Sequence, residues 1–94
     1  MKTIKGIHLD DTDTCVTLPE DATAEDIISF IHNGDEVTVS AKENIPQWHK
    51  MSIMPIKVNE YVYKYGSAIG IATEDISEGM HVHIHNIRST ENRG

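Results

Sequence analysis

No second cysteine accompanies Cys15, so the chain can close no intrachain disulfide and holds neither a CxxC redox pair nor a paired-thiol zinc unit. No apolar run approaches the roughly 20 residues that span a bilayer, and Met1 to Gly6 lacks the apolar centre of a signal peptide. The expected compartment is the cytoplasm, with no membrane partner. Positive charge is also scarce: eight Lys and Arg stand against fifteen Asp and Glu, for a net charge of −7. Such a surface repels a phosphate backbone. Aromatic residues, at 5% of the chain, are too few to interleave with basic ones as a base-stacking platform, so nucleic acid is not an expected ligand. Ninety-four residues make one domain with a thin core, which is expected to gain stability from a partner or from a homo-oligomer.

What is present reads mainly as short strands between turn signals: Thr3 to Leu9, Thr14 to Leu18, Glu36 to Ala41, Met51 to Ile56, Glu60 to Lys64, Ile69 to Thr73 and Val82 to Ile87. The exception is Ala24 to His32, where Ile27, Ile28, Phe30 and Ile31 fit a helical stripe. Thr23 stands as its N-cap, Asp26 as an approximate capping box and Asn33-Gly34 as its stop. One short helix is therefore predicted there. Residues 57–63 and 75–83 each place a turn before a strand, which reads as one hairpin device used twice. The polar tail, residues 89–94, is expected to be disordered, leaving 1–88 as the domain.

Three segments carry residues capable of chemistry. In Met80 to Asn86, apolar Met80, Val82 and Ile84 alternate with His81, His83 and His85. On a strand the histidines share one face at steps of about 6.6–7 Å, close enough for neighbouring imidazoles to converge on a divalent ion. The same alternation also suits the wet face of a half-buried strand, and His85 with Asn86 could instead hydrogen-bond a hydroxyl or carboxylate. Around Pro46, His49 is a candidate acid, base or ligand, and Lys50 a partner for a carboxylate; a plain structural His-Lys step is the competing reading. In Lys64 to Ala72, Gly66 and Gly70 permit close backbone approach and Lys64 with Tyr65 could grip an anion, although a simple turn accounts for the same residues. GxGxxG, GxxxxGK[ST], a Ser-His-Asp elbow and a paired-carboxylate arrangement are all missing, so the chain offers an incomplete catalytic kit.

Together these segments resemble a known family. Lys64-Tyr65-Gly66, Ile69-Gly70, Ala72, Asp75-Ile76, Gly79, Val82-His83 and His85-Asn86 are similar to the N-terminal SAF region of altronate and galactarate dehydratases, the UxaA family. Ile45-Pro46 and His49-Lys50 resemble its IP-x-x-HK segment, with Trp48 where the family commonly has glycine. Asn59 stands where the family often has glycine, as the residue best suited to a left-handed turn there. The resemblance implies a mostly β, SAF-like β-clip domain. It implies a small subunit acting with a large UxaA-type catalytic subunit on a sugar acid. The reaction implied is loss of the proton α to a carboxylate and of a β-hydroxyl, giving a 2-keto-3-deoxy acid; the related sulfolactate sulfo-lyases eliminate sulfite instead. A divalent metal, Fe2+ or Mn2+, is implied as cofactor. The corresponding assignments are His83 and His85 as metal ligands and His49 as a catalytic group. Lys50, Lys64, Tyr65, Gly66 and Asn86 are assigned to the substrate. A stand-alone sugar-acid binding module is the alternative, and a structural or regulatory protein with incidental histidines a third reading.

Overall fold

The alternating segments become nine strands among residues 1–89, which are those the computed structural model describes. They are β1 (Thr3–Lys5), β2 (Cys15–Thr17), β3 (Ile27–His32), β4 (Asp35–Ser40), β5 (Lys50–Ser52), β6 (Tyr61–Lys64), β7 (Ser67–Ala72), β8 (His81–Val82) and β9 (Ile87–Arg88). Three small sheets result, ordered β1-β3-β4, β2-β5-β8 and β6-β7-β9. The mostly β expectation holds, and no helix among the described residues is long and apolar enough to cross a membrane. The expected tail, from residue 90 onward, lies outside the described residues.

The helix predicted at Ala24 to His32 is a strand. Ile27–His32 is the middle strand of its sheet, parallel to β1 and antiparallel to β4. Two physical reasons stand out. Glu25 has φ 80, outside any right-handed helix, and the β-branched and aromatic side chains of this segment favour a pleated, half-buried surface. The capping signal was real but served a turn: Asp26 Oδ2 accepts from the Thr23 backbone N–H at 2.9 Å and from its hydroxyl at 3.1 Å. Asn33-Gly34, predicted as a helix stop, is a two-residue hairpin loop with φ of 52 and 84, the twist that matches paired strands.

A single backbone device recurs four times. In Thr23–Asp26, Pro46–His49, Lys57–Glu60 and Ser77–Met80 the fourth N–H donates to the first carbonyl, at 3.0, 3.0, 3.0 and 3.2 Å. The third residue is left-handed in each: Glu25 (φ 80), Trp48 (φ 69), Asn59 (φ 74) and Gly79 (φ 88), as in a type II turn. One residue before each turn lies an isolated bridge residue, and these pair as Ala22 with Ile45 and Ile56 with Ile76. A strand follows each turn: β3, β5, β6 and β8. Two copies were legible in the sequence; the other two, led by Glu25 and Trp48, lack a turn-forming residue at the left-handed position.

The β2-β5-β8 sheet divides the core. Val16 and Met51 pack with Ile4, Leu18, Ile28 and Ile45 on one side, while Cys15 and Val82 pack with Ile56, Val62 and Ile76 on the other. Adjacent residues of β2 thus face opposite clusters, as strand geometry requires. Burial pushes the Cys15 thiol up to about 12.

Two outcomes follow. A methyl added at Gly79 would meet the Ser40 carbonyl oxygen at a positive φ, so Gly79→Ala is expected to cost about 1–3 kcal/mol in urea denaturation. Trp48→Gly, which relieves the same backbone conformation, is expected to leave the midpoint unchanged or higher. Cys15 is expected to resist thiol reagents in the native chain at neutral pH and to label fully once denatured.

Candidate functional site

Two of the four turns aim at one place. Pro46–His49 delivers the chain into β5 and Ser77–Met80 delivers it into β8, and these strands pair antiparallel with Lys50 opposite Val82 and Met51 opposite His81. Ser52, fully buried at the end of β5, clamps the second turn. Its hydroxyl donates to the Ser77 carbonyl at 2.5 Å, its N–H to the Met80 carbonyl at 2.9 Å, and its carbonyl accepts from the Gly79 N–H at 2.8 Å. His49 and His81 therefore emerge side by side from segments 32 residues apart.

Strand β8 ends at Val82, so the predicted alternation through Asn86 does not hold: residues 83–86 form a turn, and Ile84, expected in the core, is 83% exposed. Asn86 causes this. Its buried side chain accepts from the His83 N–H at 3.0 Å and donates to the His81 carbonyl at 2.8 Å, while its own N–H donates to the His83 carbonyl at 3.0 Å. The turn swings His83 back over its neighbours. Ring centroids lie 4.5 Å apart for His49 and His83, 5.0 Å for His49 and His81, and 5.6 Å for the nearly parallel His81 and His83. His49 Nδ1 and His81 Nε2 are 2.8 Å apart, a distance at which they share one proton.

His81 and His83 favour their neutral form. Burial lowers the His81 pKa first, followed by the charges on His49, His85 and His83, with Glu43 opposing; burial, then His49, Lys50 and His85, lower that of His83. Glu43 also fixes the loop, its Oε2 accepting from the His81 N–H at 2.9 Å. One ligand atom from each of His49, His81 and His83 lies within 4.8 Å of the others. Half-buried and convergent, with His81 and His83 held toward their neutral form, this donor set fits a divalent first-row cation, which needs unprotonated imidazole nitrogens.

The other sequence-predicted residues are distributed differently. His85 is exposed, its ring 5.1 Å from that of His81. Lys50 is half-buried near enough to His83 to influence its titration. Lys64, Tyr65 and Gly66 form the β6–β7 hairpin, with φ of 56 and 75 at Tyr65 and Gly66. The Lys64 ammonium is buried, 3.9 Å from Asp13 Oδ2, 3.4 Å from the Ile7 carbonyl and 3.8 Å from the Tyr65 ring centroid. Asp13 Oδ1 accepts from the Gly66 N–H at 2.8 Å. Among the described residues no hydrogen bond, ion pair or ring contact joins this hairpin to the imidazoles. Sequence reasoning missed Ser52 and Glu43, because each acts through a contact with a distant segment and no local pattern marks it.

With this geometry in view, similarity to known proteins is informative. The profile of the altronate/galactarate dehydratase SAF domain matches residues 4–90. The chain is 42% identical over 53 residues to an altronate dehydratase of Bacillus subtilis (strain 168), covering 56% of this chain and 11% of that protein. It is 40% identical over 55 residues to an altronate dehydratase of Escherichia coli (strain K12), covering 58% of this chain and 11% of that protein. It is 33% identical over 57 residues to the (2R)-sulfolactate sulfo-lyase subunit alpha of Paracoccus pantotrophus, covering 61% of this chain and 85% of that subunit. The chain thus aligns with about a tenth of either altronate dehydratase and with most of the sulfo-lyase subunit.

The lowered pKa values have a definite sign. Unfolded histidines take up protons below their ordinary value of about 6.5, while folded His81 and His83 resist until lower pH. Their contribution to stability is therefore full above that value and is lost as pH falls through the lowered folded pKa. NMR titration is expected to place both midpoints below that of a free histidine, and His81→Gln/His83→Gln to flatten the fall in Tm between neutral and mildly acidic pH.

Proposed function

This chain belongs to the altronate/galactarate dehydratase SAF-domain family, a β-clip-like fold, and from that premise we propose that it is the small subunit of a lyase acting on a hydroxylated carboxylic acid. The active site would be shared with a large UxaA-type catalytic polypeptide. The observation that carries this reading is the convergence of His49, His81 and His83 beside Lys50. A match that covers 85% of a protein named as a subunit, and 61% of this chain, supports the division into two chains.

In this reading His49, His81 and His83 hold a divalent cation, Fe2+ or Mn2+, which when bound polarises the substrate oxygens and stabilises enolate-like charge. Lys50 offers its ammonium to the substrate carboxylate, where a positive charge binds and orients the anion. Asn86 and Glu43 act on the backbone: they keep His81 and His83 aimed without touching the reactants. The base that removes the α-proton comes from the large polypeptide. Loss of that proton together with the β-hydroxyl yields an enol, which tautomerises to the 2-keto-3-deoxy acid. Exposed Trp48 and Ile84, chain neighbours of His49 and of His83 and His85, provide apolar surface for the second polypeptide to cover.

A second substrate class is favoured by the extent of similarity: the sulfo-lyase subunit is matched over 85% of its length. Elimination of sulfite from sulfolactate uses the same α-proton abstraction with a different leaving group.

The test is reconstitution of the chain with the large polypeptide, assaying 2-keto-3-deoxy acid from aldonates and aldarates and sulfite from sulfolactate. Turnover is expected only with both chains. His83→Gln should lower kcat by about a hundredfold or more, and Lys50→Met should act mainly on KM. Full-rate turnover by the large polypeptide alone would overturn the role; binding of the acid by this chain with no turnover in any mixture would establish the binding-module alternative.

A further inference from the structure

A second group of metal-ligating side chains lies outside the imidazole cluster. His8 follows β1, Asp11 lies in the loop before β2, and His32 ends β3 at the Asn33-Gly34 turn. One ligand atom from each lies within 4.8 Å of the others, and the His8 and His32 rings are 5.3 Å apart. We propose that His8, Asp11 and His32 form a divalent-cation site of the two-imidazole, one-carboxylate type, which staples the β3–β4 hairpin to the loop between β1 and β2.

Three observations, each from a different residue, carry this. His32 Nδ1 is buried and has no hydrogen-bond partner among the described residues; an imidazole nitrogen removed from water without a partner is costly, and a cation supplies one. His8 places both ring nitrogens against carbonyl oxygens, Nδ1 at 2.8 Å from Ile31 and Nε2 at 3.2 Å from Asp13. A neutral ring has a single N–H. With the N–H on Nδ1, the backbone-anchored arrangement that orients metal-binding histidines, a cation at Nε2 would take the place of the longer contact to the Asp13 carbonyl. Asp11 Oδ1 accepts from the Asn33 N–H at 3.0 Å, which aims the carboxylate while its second oxygen stays available.

The surroundings suit a cation. Asp10 and Asp13 stand within two residues of Asp11 in the chain, and among the described residues the one ammonium paired with any of them, that of Lys64, is engaged with Asp13. Asp11 and His32 also line a cavity of about 480 Å³ with Phe30, Val37, Ile53 and Tyr63, an entry path for an ion. Imidazole with carboxylate selects Zn2+ or Fe2+ over Ca2+ or Mg2+, which prefer oxygen ligands alone. Tying three segments together would add binding energy to a small fold that has no disulfide.

The site is tested with Zn2+ alone on the 15N-labelled chain after chelator treatment, following the imidazole nitrogens by two-bond 1H–15N NMR. His8 and His32 are expected to shift together with one saturation point, and the Tm to rise. Asp11→Asn keeps an oxygen for the Asn33 N–H and sits on the surface, so the chain should fold normally; its affinity at His8 and His32 should fall about tenfold or more. The His81 and His83 resonances report the other cluster independently, so the two sites succeed or fail separately. His8 and His32 signals that do not move at saturating Zn2+, or an Asp11→Asn chain that binds like the wild type, would overturn the proposal.

Discussion

Four left-handed turn residues, each backed by an i to i+3 hydrogen bond, hold this molecule's strands in place. The turns work in bridged pairs, Ala22 with Ile45 and Ile56 with Ile76, so that each strand entry is braced by another segment far along the chain. A short chain with thin sheets has little core to enforce strand direction. Here the backbone conformation of Glu25, Trp48, Asn59 and Gly79 does that work, and side-chain packing on both faces of the β2-β5-β8 sheet completes it.

The imidazole cluster is a direct product of this constraint. His49 directly follows one left-handed turn residue and His81 follows another by two positions, so the pairing of β5 with β8 is enough to bring them within 2.8 Å. Asn86 then folds the following turn back to add His83. Burial and mutual repulsion keep His81 and His83 neutral, which turns a chance of proximity into a donor set. The proposed roles in elimination draw on that neutrality together with the positive charge of Lys50.

Some of this could be read in advance. Alternating apolar residues and turn signals marked most strands, and Asn59 was legible as a left-handed position because asparagine tolerates that region. Ile27 to His32 was misread, since apolar residues at 27, 28, 30 and 31 satisfy a helical stripe as well as a buried central strand, and Thr23 with Asp26 makes much the same local hydrogen bonds in a cap and in a turn. The Lys64 segment looked like an anion grip because the carboxylate that occupies its ammonium, Asp13, lies 51 positions earlier in the chain.

The amino-acid sequence by itself determined the class of fold, the family and the residue types available for chemistry, because periodicity, turn propensity and motif spacing are local properties. Tertiary structure alone decided which histidines meet. Side chains converge through pairings between segments 32 residues apart and through buried partners such as Ser52 and Asn86, and no local pattern encodes a contact whose other half lies on a different strand.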